Sequence, residues 1–126
     1  MDNLEFRRRI IEQWNINPDE WEGWDFGYSG KTTSPYGFRA SLSPFFTIST
    51  SKVTFYCGSG GNRVSLITYN TNKVENDYWT YTGGAKTITV KSGTVYGRLI
   101  CNMDDLANYY VKDSNGNYLF NGADYI

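Results

Sequence analysis

Groups able to move protons are scarce in this chain, which contains no histidine. Ser-His-Asp and Cys-His mechanisms depend on an imidazole base. So does the ordinary proton shuttle near neutral pH. What remains is a paired-carboxylate hydrolase, with Glu75, Asp77, Asp104 and Asp105 as its candidates. All four fall in segments that read as turns, where solvated acids and side chain-to-backbone bonds are the usual employment of Asp. The expectation is a protein with no catalytic residues, one that is not an enzyme.

The other chemistry-bearing patterns resolve the same way. Cys57 and Cys101 lie in strand-like segments. Two lone cysteines without histidine do not make an ordinary zinc site, and buried free thiols are expected; a disulfide would require an oxidising compartment that nothing else implies. The run Asp113-Ser114-Asn115-Gly116-Asn117 has its glycine fourth rather than sixth and no bidentate Glu at the twelfth place, so it reads as a hairpin turn and not a calcium loop. Gly58-Ser59-Gly60-Gly61 lacks the Lys-Ser/Thr pair of a phosphate cradle. No metal and no cofactor is expected. Arg7-Arg8-Arg9 is flanked by Glu5 and Glu12, which suits a solvated or subunit-pairing helix face. With 12 basic against 13 acidic residues, nothing draws the chain toward nucleic acid or an anionic membrane. There is no apolar run of ~18 residues to span a bilayer, and charges throughout positions 1–14 argue against a signal peptide.

Binding chemistry is better represented. Tyr69, Asp77, Tyr78, Trp79 and Tyr81 lie in or beside turns between strands. Aromatic rings stack on sugar rings while carboxylates and amides bond hydroxyls, and binding sites combine apolar walls with a few placed polar groups. Tyr69, Asp77, Trp79 and Tyr81 are therefore the candidate ligand-binding residues. The competing reading makes Trp79 a core plug, since Trp is highly buried on average.

These residues need a scaffold. At 126 residues one domain can bury roughly two thirds of its unfolded surface. Eleven Tyr, seven Phe and four Trp favour pleated, half-buried sheet, and 13 Gly against 3 Pro favour tight turns. Strands are predicted at 36–42, 46–49, 53–57, 64–69, 78–81, 87–90, 95–101, 109–111 and 118–120. Asn115-Gly116 is the strongest hairpin signal, and Gly83-Gly84 reads as a second hairpin turn. This regular spacing predicts an all-β antiparallel sandwich of jelly-roll kind over 31–126.

Residues 1–30 read differently. Positions 2–14 predict a short helix capped by Asp2, with Phe6, Ile10 and Trp14 on its apolar arc. Such a helix is marginal alone and must dock. An aromatic connector carrying Trp21 and Trp24 follows. Phe6, Ile10, Trp14, Trp21 and Trp24 are the candidate partner-anchoring residues, large aromatics being favoured in interface cores.

From about position 36 to 120 the order of residues resembles a β-sandwich module of gut-phage and prophage tail or fibre proteins, similar in outline to carbohydrate-binding jelly rolls. The likeness is carried by Tyr36-Gly37-Phe38-Arg39, by Val64-Ser65-Leu66-Ile67-Thr68-Tyr69-Asn70 followed by Trp79, by Lys86-Thr87-Ile88-Thr89-Val90 leading to Val95-Tyr96-Gly97-Arg98, and by the closing 110–122. The opening Leu4-Glu5-Phe6-Arg7-Arg8-Arg9-Ile10 also resembles the start of short virion proteins. This resemblance implies a virion structural protein, in a tail, fibre or capsid decoration, assembling with other virion proteins as a homo-oligomer through its N-terminal segment. The alternative it implies is a carbohydrate-binding module for host surface polysaccharide. It offers no catalytic residues to transfer, and it implies that Arg39 and Arg98 tie strands to turns.

Overall fold

The computed structural model describes residues 12, 17, 19, 21–26, 40–56, 64–80 and 83–125. In chain order the elements are β1 (Asp25–Phe26), β2 (Ala40–Leu42), β3 (Phe46–Thr47), β4 (Lys52–Tyr56), β5 (Val64–Tyr69), β6 (Glu75–Thr80), β7 (Ala85–Thr89) and β8 (Tyr96–Asn102). The 3-10 segment η1 (Met103–Asn108), β9 (Tyr110–Asp113), β10 (Tyr118–Asn121) and the 3-10 turn η2 (Gly122–Tyr125) complete it. The strands form two antiparallel sheets, an all-β, sandwich-like fold. One runs β1-β2-β8-β5-β6, with β3 also paired to β8; the other runs β10-β9-β4-β7. Of the N-terminal helix predicted over 2–14, only Glu12 is described, and it is helical; Phe6, Ile10 and Trp14 lie outside the described residues.

The alternation that marked the strands also decides which face each side chain takes. In β8, Leu99 and Cys101 point toward the second sheet while Tyr96 and Ile100 point away. Across the gap, Val53 and Phe55 of β4, Ile88 of β7, Val111 of β9 and Phe120 of β10 meet Leu66, Phe46, Ile48 and Leu99. Dispersion and water exclusion in this close-packed layer hold the sheets together. Gly97 admits the Phe46 ring; a Cβ there would come within 2.6 Å of its Cε2. β5 is buried on both faces. Val64, Ile67 and Tyr69 join Leu42 and Ile100 in a second apolar cluster on the outer side of the larger sheet, which is why this strand reads as a nearly continuous apolar run.

β2 and β3 lie end to end along β8, interrupted at Ser43, Pro44 and Phe45. Proline has no N–H to give a ladder, and the break is bridged by side chains. Ser43 Oγ accepts from the Leu99 amide at 2.9 Å. Arg98 Nε donates to the Ser43 carbonyl at 2.7 Å and its Nη2 to the Gly23 carbonyl at 3.1 Å, while its guanidinium lies 4.5 Å from the Phe45 ring centre.

Two expectations change. The Asn115-Gly116 hairpin is present, with Gly116 at φ 83° and Asp113 Oδ1 accepting from the Asn115 and Asn117 amides. The Gly83-Gly84 turn, at φ 79° and 77°, is not a hairpin within one sheet. It carries the chain from β6 in one sheet to β7 in the other, because Ile88 belongs opposite Val53 in the inter-sheet core. Within the segment read as a connector, Asp25–Phe26 forms β1 against β2.

Candidate functional site

The residues singled out on the β5–β6 hairpin do not share a surface. Tyr69 is 5% exposed and packs edge-on against Phe45 at 4.9 Å. Asp77 pairs with Thr68 and Trp79 with Leu66, on the opposite side of the sheet. Trp79 is partly buried against the inter-sheet core. Asp77 is engaged locally: its Oδ1 accepts from the Tyr78 amide at 2.8 Å and its Oδ2 lies 4.0 Å from Lys91 Nζ. Tyr81 lies outside the described residues. Glu75 shares β6 with Asp77, whereas Asp105 sits on η1.

Trp24 is 2% exposed. It packs edge-on against Phe120 at 5.6 Å and Tyr125 at 5.0 Å, leaving almost none of its surface for a second chain. Trp21 lies 5.2 Å from Trp24, edge-on, and near-parallel to Tyr125 at 5.7 Å. Both are built into the sandwich that they were expected to anchor to a partner.

A cluster of aromatic rings lies on the outer face of the smaller sheet, besides the exposed Tyr78 of β6. Alternation sends Tyr56 of β4 and Tyr110 of β9 outward, the bulge between Tyr118 and Phe120 turns Tyr118 of β10 to the same face, and the register sets the three on adjoining strands. Tyr56 and Tyr110 are near-parallel at 5.8 Å. Tyr118 stands edge-on to Tyr110 at 6.0 Å and is 55% exposed. One rung across the face reads Thr87, Thr54, Lys112, Tyr118; the next reads Ala85, Tyr56, Tyr110, Asn121. Thr54 and Thr87 share a hydroxyl–hydroxyl bond of 2.7 Å. Lys112 Nζ lies 4.6 Å from the Tyr118 ring centre and 5.3 Å from that of Tyr110, within cation–π range.

This strip runs over the β10 edge into a cleft of about 170 Å³, lined by Phe45, Tyr118, Asn121, Asp124 and Tyr125. Burial first, and the Asp124 charge second, raise the Tyr125 hydroxyl pKa. Tyr125 therefore stays a neutral donor across the physiological range. Strip and cleft offer ring surface, hydroxyls, an amide, a carboxylate and an ammonium, a set suited to holding a polyhydroxylated ligand. Among the described residues no three His, Cys, Asp or Glu side chains group as metal ligands, and no helix is long and apolar enough to cross a membrane.

Sequence reasoning missed this surface for a definite reason. Alternation shows that Tyr110 and Lys112 share a face, and that Tyr118 follows the hairpin. That Tyr56 joins them depends on the pairing of β4 with β9, which no local pattern encodes. No protein-family model, curated protein or solved structure matches the chain.

Proposed function

We propose that this protein is a glycan-binding β-sandwich module that works by adsorption, without turnover. The observation that supports it is the Tyr56–Tyr110–Tyr118 strip, three adjoining rings on the outer face of the smaller sheet that lead into a polar cleft. A pyranose has apolar C–H faces and a hydroxyl rim; the first suits the rings, the second Thr54, Asn121 and Asp124. The binding surface is thereby moved from the β5–β6 hairpin to the smaller sheet. The jelly-roll kinship, and a setting on a phage tail, fibre or capsid surface as a homo-oligomer facing host polysaccharide, belong to the same proposal and draw on the resemblance of residues 36–120 to virion modules. Sedimentation of the pure protein tests the last part, since virion modules work as symmetric multimers.

The binding claim is tested by titrating a panel of bacterial and plant polysaccharides into the protein and into Tyr118→Ala and Trp79→Ala. Tyr118→Ala should lose binding and keep its Tm within about 3 °C, since exposed positions contribute little to stability. Trp79→Ala should lower Tm while binding persists well below the transition. The opposite pairing, or no retention of any polysaccharide, rejects the reading.

A further inference from the structure

We infer that the glycan is acidic, carrying carboxylate or sulfate groups, and that Lys112 is the residue that receives the anion. This rests on the glycan-binding reading and adds the ligand's charge. The chain as a whole is nearly neutral, at −1, but the outer face of the smaller sheet is not. Its outward positions on β4, β9 and β10 carry Lys52, Thr54, Tyr56, Tyr110, Lys112, Tyr118 and Asn121, two cations and no carboxylate among the described residues. Asp113, the nearest acid on the chain, follows Lys112 and takes the opposite side of β9. Its Oδ1 is held by the Asn115 and Asn117 amides at 2.9 and 3.0 Å.

Lys112 makes no ion pair among the described residues. Its ammonium is held instead by the π-faces of Tyr110 and Tyr118, which attract a cation without neutralising it. The charge thus sits at the centre of the strip, beside Tyr110 and Tyr118. Lys52 lies one rung further along the same face, at the diagonal spacing of cross-strand neighbours. The strip also has a direction. Asp124 lies in the cleft beyond Tyr118, so hydroxyls belong on that side and the anion on the Lys112 side. A single-stranded nucleic acid also stacks on aromatics, but it needs a continuous cationic track, and here the cleft end of the strip carries a carboxylate.

The test is affinity electrophoresis and calorimetry with polygalacturonate, alginate, hyaluronan and chondroitin sulfate, beside neutral dextran, mannan and galactan, with poly(dT) as a further arm. At least one acidic polymer should be retained, and reducing its carboxylates to alcohols, or removing its sulfates, should release the protein. Lys112→Gln should weaken binding about tenfold or more, the value of one charge-assisted contact, and Lys112→Arg should restore much of it. Affinity of the unaltered protein should fall as salt rises, a readout that does not depend on any variant folding. Retention by neutral polymers alone, indifferent to salt and to Lys112→Gln, overturns this inference and leaves the glycan reading standing. Poly(dT) binding without acidic-glycan binding, or no binding at all, overturns both.

Discussion

The Cys101 thiol is fully buried, with its Sγ 3.6 Å from the Leu99 carbonyl. Burial chiefly, and the charge of Asp105 secondarily, push its pKa well above the ordinary thiol value. The folded chain therefore holds this proton more tightly than the unfolded chain, whose thiol titrates at about 8.5. Its contribution to stability is whole below that pH and declines as pH rises through the folded value, by up to about 1.4 kcal/mol per pH unit. Urea unfolding from pH 7 to 10 should show Cys101→Ala with a flatter alkaline limb than the parent, even though its plateau is lower for lost packing. Equal slopes would mean that the thiol is not held neutral. Trp79 gives a second test at this scale. Its ring is partly buried, so Trp79→Ala should cost about 2 kcal/mol, less than the ~3–5 of a fully buried aromatic; a cost under half that would return Trp79 to the ligand candidates. Gly122 gives a third. A Cβ there would fall on the Leu106 carbonyl oxygen, where the backbone already receives the Gly122 amide at the Tyr109 carbonyl, 2.8 Å away. Gly122→Ala should destabilise the fold by about 3 kcal/mol through overpacking, read as a shifted denaturation midpoint at unchanged m.

Among the elements, the broken strand pair β2–β3 depends most on a single side chain. Arg98 bonds two carbonyls from different segments and covers Phe45. Lysine keeps the charge but has no planar fork to reach both. Arg98→Lys should therefore cost about 1–2 kcal/mol, with faster amide exchange at Ser43 and Leu99 than in the rest of β8. Unchanged exchange there would show that Pro44 alone sets the break. These elements also show what a single sequence conveys. β4, β7, β8 and the β9–β10 hairpin were legible because their periods of two, and the φ > 0 demand met by Gly116, are local facts, and β5 because a short apolar run bounded by turn residues is one too. β1 was not, because two residues of strand after a Trp-Glu-Gly-Trp turn carry no period. The partner of β7 was not either. Gly83-Gly84 permits a hairpin and equally permits a crossing between sheets, and the choice is made by Ile88 seeking Val53 across thirty-five positions of chain. The site suffered most. Tyr69 and Trp79 are aromatic and sit near turns, but one is buried outward and the other inward, whereas the exposed strip joins Tyr56 to Tyr110 through register alone.

At the scale of the whole molecule, Trp21 and Trp24 are packed against the far end of the described chain, and this bears on where the folding unit starts. The reading from sequence set an anchoring segment at 1–30 apart from a sandwich at 31–126. Trp24 nonetheless lies within the inter-sheet core with Phe120, Leu106 and Tyr109, and Tyr125 of η2 closes over both Trp21 and Trp24. β1 extends the larger sheet by pairing Asp25 with Leu42 and Phe26 with Ser41, and the Gly23 carbonyl takes one of the Arg98 bonds. A chain beginning at residue 31 loses all of these at once. Removing the Trp24 ring alone should cost about 3–5 kcal/mol, a large part of the 5–15 kcal/mol that typically separates folded from unfolded domains. The 31–126 fragment should therefore melt far below the full chain, or fail to fold, in thermal denaturation followed by near-ultraviolet circular dichroism. Trp24→Phe in the full chain should recover most of the parent's Tm, because it keeps an aromatic plug between Phe120 and Tyr125. A 31–126 fragment that unfolds cooperatively near the parent's temperature would show the opposite: that the sandwich closes without Trp24 and that residues 1–30 are free to serve as an anchor.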